Sequence, residues 1–261
     1  MLSNEEASLD SAPGNIEPDK RFWGPWATAG FGCLIGAVIF IAQFLVVIVY
    51  TVVKVATEPP ADIFEFTEAL ANDGLLIGLA GLLSALAGIG LIAVIIKIKK
   101  GFSISEYLGF RAIPVRTIPL AVPIAAGFIF IAYLVSFVPG KSDNAYIIEA
   151  YNSSVWPAIF WLEVVIFAPA LEEIFFRGFL FVGFRQSGLK VAGTIILTSF
   201  VWTLLHIAQY DFYDLAALFV FGIILGLARQ KTDSLWSPLI LHSVYNLLVM
   251  ILVAFSANSA V

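Results

Sequence analysis

Two adjacent glutamates and an arginine interrupt a long apolar run in the order Glu172-Glu173-Ile-Phe-Phe-Arg177. Neighbours on an α-helix point about 100° apart, so the two carboxylates take different roles. Glu173 and Arg177 stand at i and i+4, acid first, and can pair along one face. Glu172 then faces elsewhere as an unpaired carboxylate in apolar surroundings, the kind of group that serves as a general base. The chain has 2 histidines, His206 and His242. Trp202 precedes His206 by one helical turn and Asn246 follows His242 by one, so each pair shares a face. A carboxylate, a nearby histidine and neutral donors together suit attack of water on an amide carbonyl. Each part alone has a plainer reading. His242 with Asn246 reads as hydrogen bonding between helices. His206 reads as an interfacial residue beside the polar turn from Gln209 to Asp214. Glu173 with Arg177 reads as a structural pair or a basic anchor. Glu163 falls about half a turn out of phase with Glu172 and is expected on the opposite face in a structural role.

These residues are conspicuous because the rest of the chain is so apolar. Of 261 residues, 60% are hydrophobic and only 13% charged, with a mean hydropathy of +0.95. A soluble domain carries about 25% charged residues, so the chain is read as an integral membrane protein. Apolar runs of about 18 residues or more mark transmembrane helices. They are expected at Trp26 to Val53, Leu75 to Ile96, Thr117 to Val138, Trp156 to Arg177 or Arg185, Val191 to Ala208, Leu215 to Ala228 and Leu235 to Phe255. Pro169 is expected to kink the fourth. The fold class is therefore all-α: a polytopic transmembrane helix bundle of about seven spans (six to eight), with the active site inside the bundle. One depth problem follows. At about 1.5 Å per residue, His242 lies roughly 10 Å into its span and His206 roughly 20 Å into its own. They can meet only if the fifth helix is tilted, starts outside the bilayer or is displaced.

With the N-terminus in the cytoplasm, all of the 14 Lys and Arg except Lys54 and Lys141 fall on the inner side, which sets the expected orientation. The location expected is a multi-pass protein of a membrane, the cell membrane for a bacterial chain. Residues 1–22 read as a disordered acidic cytoplasmic tail and 23–261 as the bundle, with 156–246 as its core. No signal-peptide pattern is present. The single cysteine, Cys33, excludes an intrachain disulfide. A net charge of −5 offers no basic surface for nucleic acid; membrane lipid is an expected partner, and an endopeptidase reading adds a membrane-associated protein or peptide as substrate.

Glu172-Glu173-x-x-x-Arg177, then Trp202-x-x-x-His206, then His242-x-x-x-Asn246, resembles the CPBP family of intramembrane proteases. That family, also called Abi, groups type II CAAX prenyl endopeptidases with bacterial proteins linked to bacteriocin maturation and self-immunity. The resemblance spans about Trp156 to Asn246, and Glu-Glu-Ile-Phe-Phe-Arg-Gly-Phe-Leu is its most specific string. The second motif usually begins with Phe; Trp202 stands there and is expected to keep a packing role. The resemblance implies an endopeptidase in which Glu172 and His206 activate a water and His242 and Asn246 donate to the oxyanion. Glu173 and Arg177 would fix the helix or touch the substrate backbone. The family is often labelled metalloprotease, and Glu172, His206 and His242 could ligate zinc. A metal-free mechanism explains Asn246 better, since Asn is a poor zinc ligand and no His-Glu-x-x-His helix is present. Two alternatives stand beside the protease: a non-catalytic membrane adaptor or bacteriocin-immunity-type protein on the same scaffold, and a proton- or ion-coupled transporter, which also needs buried carboxylates.

Overall fold

The computed structural model describes residues 21–139, 141 and 146–259; the expected tail falls almost wholly outside them. The described residues are mostly helical and contain no strand. Helix α1 runs Pro25–Thr57, opened by a proline at a position where the missing N–H costs nothing. A short α2, Ile63–Ala71, is capped by Asp62, whose carboxylate accepts from the Phe64 and Glu65 amides at 2.7 and 3.1 Å. Asp73 caps α3, Gly74–Ile98, in the same way. The Asp73 carboxylate also accepts the Tyr50 hydroxyl at 2.7 Å and pairs with Lys54 at 3.5 Å. One side chain thus joins the end of α1 to the start of α3.

After α4, Ile104–Leu108, helix α5 spans Val115–Val135, its first turn a tight 3-10 turn around Pro119. Helix α6 is Tyr146–Ser153. An unbroken helix over residues 157–184, α7, carries Glu163, Glu172, Glu173 and Arg177. It is followed by α8, Lys190–Leu204, then α9, Phe212–Thr232, and α10, Trp236–Ser259. By length and composition α1, α3, α5, α9 and α10 can cross a membrane. The fourth expected span, α7, changes helical type along its length. The fifth, α8, has only 15 residues. The sixth is longer than expected because Asp211 caps it at 212 and Arg229 and Lys231 still belong to its last turn.

Helix α7 lies against α3 over a row of glycines. A Cβ on Gly78 would stand 3.1 Å from the Ile159 side chain, and one on Gly88 would stand 2.7 Å from Leu171. Small residues let the two backbones approach, as packing between membrane helices requires. Aromatic and aliphatic side chains of α1, α3, α7, α8 and α9 fill the core, among them Ile35, Ile92, Phe179, Trp202 and Phe221. Before α1, Phe22 stacks on Phe102 at 4.7 Å between ring centres, so ordered packing already includes the last residue assigned to the tail.

The end of the bundle that holds α4 is closed by Arg229 of α9. Its guanidinium, 2% exposed, donates to the carbonyls of Arg177 at 3.1 Å and Leu108 at 3.4 Å. Leu235 N–H donates to Gly109 O at 2.8 Å. Gly109 ends α4 at φ +78°, and a Cβ there would stand 2.4 Å from Arg229 Nη2. Backbone strain and a collision with a buried cation coincide at this position. Gly109→Ala is expected to cost about 1–3 kcal/mol, read as a lowered unfolding temperature of the purified protein in detergent; an unchanged temperature would show that this closure contributes nothing.

Candidate active site

Helix α7 contains π turns at Glu163–Phe167 and Glu173–Leu180, one on each side of Glu172. Such turns recur at functional sites. In the first, the Ala168 N–H bonds to the Glu163 carbonyl five residues back. The next donor in that pattern would be residue 169, a proline with no N–H, so the Val164 carbonyl loses its partner in the helix. Asn246 of α10 supplies one: its amide donates to Val164 O at 2.7 Å. An Asn amide carries two hydrogens, and one of them is spent here. The proline expected to kink the helix thus adjoins a π turn and a tie to α10.

The π turn also overturns an expectation. Counting at 3.6 residues per turn puts Glu163 on the face opposite Glu172. The wider i→i+5 turn slows the angular advance between them. Both side chains line the same chamber.

Glu173 and Arg177 pair as their spacing predicts, at 2.9 Å, with both side chains fully buried. Arg177 also donates to the Gly222 carbonyl of α9 at 3.0 Å, and its guanidinium lies 5.0 Å from the Trp202 ring centre. Glu173 Oε1 has a second partner that spacing did not announce, His242 Nδ1 at 2.9 Å. Glu173 Oε2 and Arg177 Nε find no hydrogen-bond partner among the described residues. Full burial accords with the first of the two expected roles, fixing the helix. Glu173 and Arg177 hold α7, α9 and α10 together and orient His242.

Glu172 is not unpaired. The Trp202 indole N–H donates to its Oε2 at 2.5 Å. Trp202 is 1% exposed, and its ring lies 5.1 Å from His206 and 5.7 Å from His242, edge to face with both. Its role therefore exceeds packing, and the signal was available in the sequence: indole has an N–H where the phenyl ring of Phe has none. Helix α8 ends at Leu204, so His206 sits in the turn beyond it, not inside a span. His206 and His242 both reach the carboxylate of Glu172, so the difference in depth counted along ideal helices does not keep them apart. His206 Nδ1 lies 2.9 Å from the Trp202 carbonyl. A carbonyl only accepts, so Nδ1 carries the hydrogen and Nε2 of the neutral ring keeps its lone pair. That Nε2 faces Glu172 Oε1 at 4.0 Å, while His242 Nε2 stands 3.9 Å from Glu172 Oε2.

These groups border a chamber of about 1280 Å³, which Asn246 also lines. His206 and His242 therefore meet at Glu172, while Asn246, partly committed to Val164, shares the chamber with them. Among the described residues no group of three or more His, Cys, Asp or Glu is arranged to hold a metal ion. The set named for zinc, Glu172, His206 and His242, forms no such group in this arrangement.

Residues 154–248 match the family model of the type II CAAX prenyl endopeptidases described as Rce1-like. The matched stretch contains every residue of the three motifs, and the family resemblance read from them is borne out there. An Escherichia coli protein described as an uncharacterized 24.3 kDa protein is 28% identical over 133 residues, covering 47% of this chain and 60% of that protein. No solved structure matches.

Removing one partner of a buried ion pair strands the other, at a cost of about 3–5 kcal/mol. Arg177→Met is expected to destabilise the protein by that amount in denaturant titrations in detergent. Glu172→Gln, at a side chain 22% exposed to the chamber, is expected to change stability by less than about 1 kcal/mol. Equal losses for the two would contradict the division of labour between the adjacent carboxylates.

Proposed function

We propose that the chain is an intramembrane endopeptidase of the CAAX-protease type, hydrolysing a peptide bond of a membrane-associated protein or peptide. The observation that carries the reading is the pair of proton acceptors, Glu172 Oε1 and His206 Nε2, facing each other at 4.0 Å. A gap of that width suits one bridging water. Such a water donates one hydrogen to each acceptor and points its lone pair at a carbonyl in the chamber.

Glu172 takes the proton as the water adds to the carbonyl carbon and later delivers it to the leaving amine. Trp202 fixes the carboxylate by its indole N–H, and the Trp202 carbonyl fixes the His206 tautomer. His242 Nε2 and the remaining Asn246 amide hydrogen donate to the oxyanion. In other enzymes a donor of this kind is worth about 2.7–4 kcal/mol. In that role His242 carries hydrogens on both nitrogens, and Glu173 at its Nδ1 balances the charge. This reaction uses water, carboxylate and imidazole and routes no step through a metal. The distribution of Lys and Arg supports a cytoplasmic N-terminus.

Purified protein in detergent or vesicles, offered a membrane peptide library, is expected to cleave at defined bonds. Glu172→Gln and His206→Ala are each expected to lower kcat/KM by about 100- to 10,000-fold. Cleavage by either variant at the wild-type rate would sink the assignment and leave the scaffold a non-catalytic one. Trp202→Phe keeps the ring and removes the donor, so kcat is expected to fall about tenfold with KM little changed. Treatment with a chelator is expected to leave activity intact. A stoichiometric metal found by elemental analysis, lost together with activity, would replace the metal-free reaction.

A further inference from the structure

The proposed hydrolysis leaves a buried carboxylate of the chamber unused. Glu163 is 9% exposed, yet among the described residues it forms no hydrogen bond or ion pair. Its side chain lines the chamber on the side of α3, where Gly81 makes room for it: a Cβ on Gly81 would stand 2.2 Å from Glu163 Oε1. An ionisable group at membrane depth is costly, and one with no partner in the protein points to a partner from outside.

The charge around the chamber indicates which sign that partner carries. The charged lining residues are Glu163, Glu172, Asp214 and Lys141. Lys141 is already held by Asp214 at 3.0 Å and Asp211 at 3.7 Å. Glu172 has the Trp202 indole. Helix α2, which contributes Thr67, Leu70 and Ala71 to the chamber wall, exposes Glu65 and Glu68 beside them. The clustered arginines, by contrast, sit at the α4 end of the bundle: Arg185 and Arg229 near Asp233, and Arg111 in an ion pair with it. An acidic rim raises the local concentration of cations, and a buried acid inside it is the matching receptor.

We infer that Glu163 is a substrate-binding residue that receives the cationic side chain, Lys or Arg, of the peptide held in the chamber. The inference rests on the protease reading for what the peptide undergoes, but binding itself does not depend on cleavage. Nine residues of helix separate Glu163 from Glu172, about 10–13 Å along the axis. An extended peptide covers that distance in about three or four residues. The basic residue therefore sits three or four positions from the bond that is cut. Gly81 serves the subsite by leaving the carboxylate its space.

The test uses the full chain carrying Glu172→Gln, which binds without turnover, and a short dansylated Leu/Ala peptide. A single Lys is moved through its positions, each peptide paired with a norleucine counterpart, and binding is followed by fluorescence anisotropy. The Lys peptide is expected to bind at least about tenfold tighter than its counterpart at one preferred position, from one charge-assisted hydrogen bond. Adding Glu163→Gln is expected to abolish that preference without weakening norleucine binding. Glu163→Asp, which keeps the charge, is expected to retain part of it, and it decides the matter should the Gln variant misfold. Equal binding of the two peptides, or a Lys preference that survives Glu163→Gln, would overturn the inference. With active protein, equal cleavage of both peptides sinks this subsite and leaves the protease standing. Lys-selective binding without any cleavage does the reverse.

Discussion

A carboxylate removed from water has to be met by opposite charge and by donors, or it will not stay ionised where it is. Glu173 is fully buried, and the architecture around it supplies what it needs: Arg177 from its own helix and His242 from α10. Arg177 in turn reaches the Gly222 carbonyl of α9 and lies against Trp202 of α8. Four helices are therefore tied through one anion. A pair of this kind adds little net stability relative to well-packed apolar residues, but loss of one member is expensive. Its contribution is registry: it places the His242 ring where its second nitrogen faces Glu172.

The backbone of α7 is irregular where the chamber requires it. Non-helical or distorted backbone at membrane depth is tolerated when protein groups meet its freed carbonyls. Here the Asn246 amide meets the Val164 carbonyl that Pro169 leaves without a donor. The same π turn brings Glu163 and Glu172 to one chamber. Glycines of α3 complete the arrangement by letting the distorted helix lie close. Backbone distortion, a proline, an asparagine on a distant helix and a glycine row thus form one solution to one steric problem.

Trp202 shows how a single exchange within a motif alters a site. A phenyl ring would fill the same space between the two histidines and Arg177. The indole adds a donor that engages the carboxylate directly at 2.5 Å. Glu172 is consequently held by its neighbour on α8 while remaining open to the chamber, and His206 is fixed through the carbonyl of the same tryptophan. One residue orients both proton acceptors, which ties their separation to the geometry of the α8 terminus.

The sequence by itself determined the helical membrane class, the position of most apolar segments, the Glu173–Arg177 pair and the family resemblance over about Trp156 to Asn246, which the family match contains. These depend on composition and on spacings within one helix turn, which hydropathy and the 3.6-residue period express directly. The tertiary structure alone decided what Glu173 shares with His242, what Asn246 donates to, why Glu163 faces the chamber and how His206 reaches Glu172. Each of those depends on contacts between distant segments or on a departure from the ideal helical period. A π turn moves every later residue around the axis, and no count made at 3.6 residues per turn carries that shift.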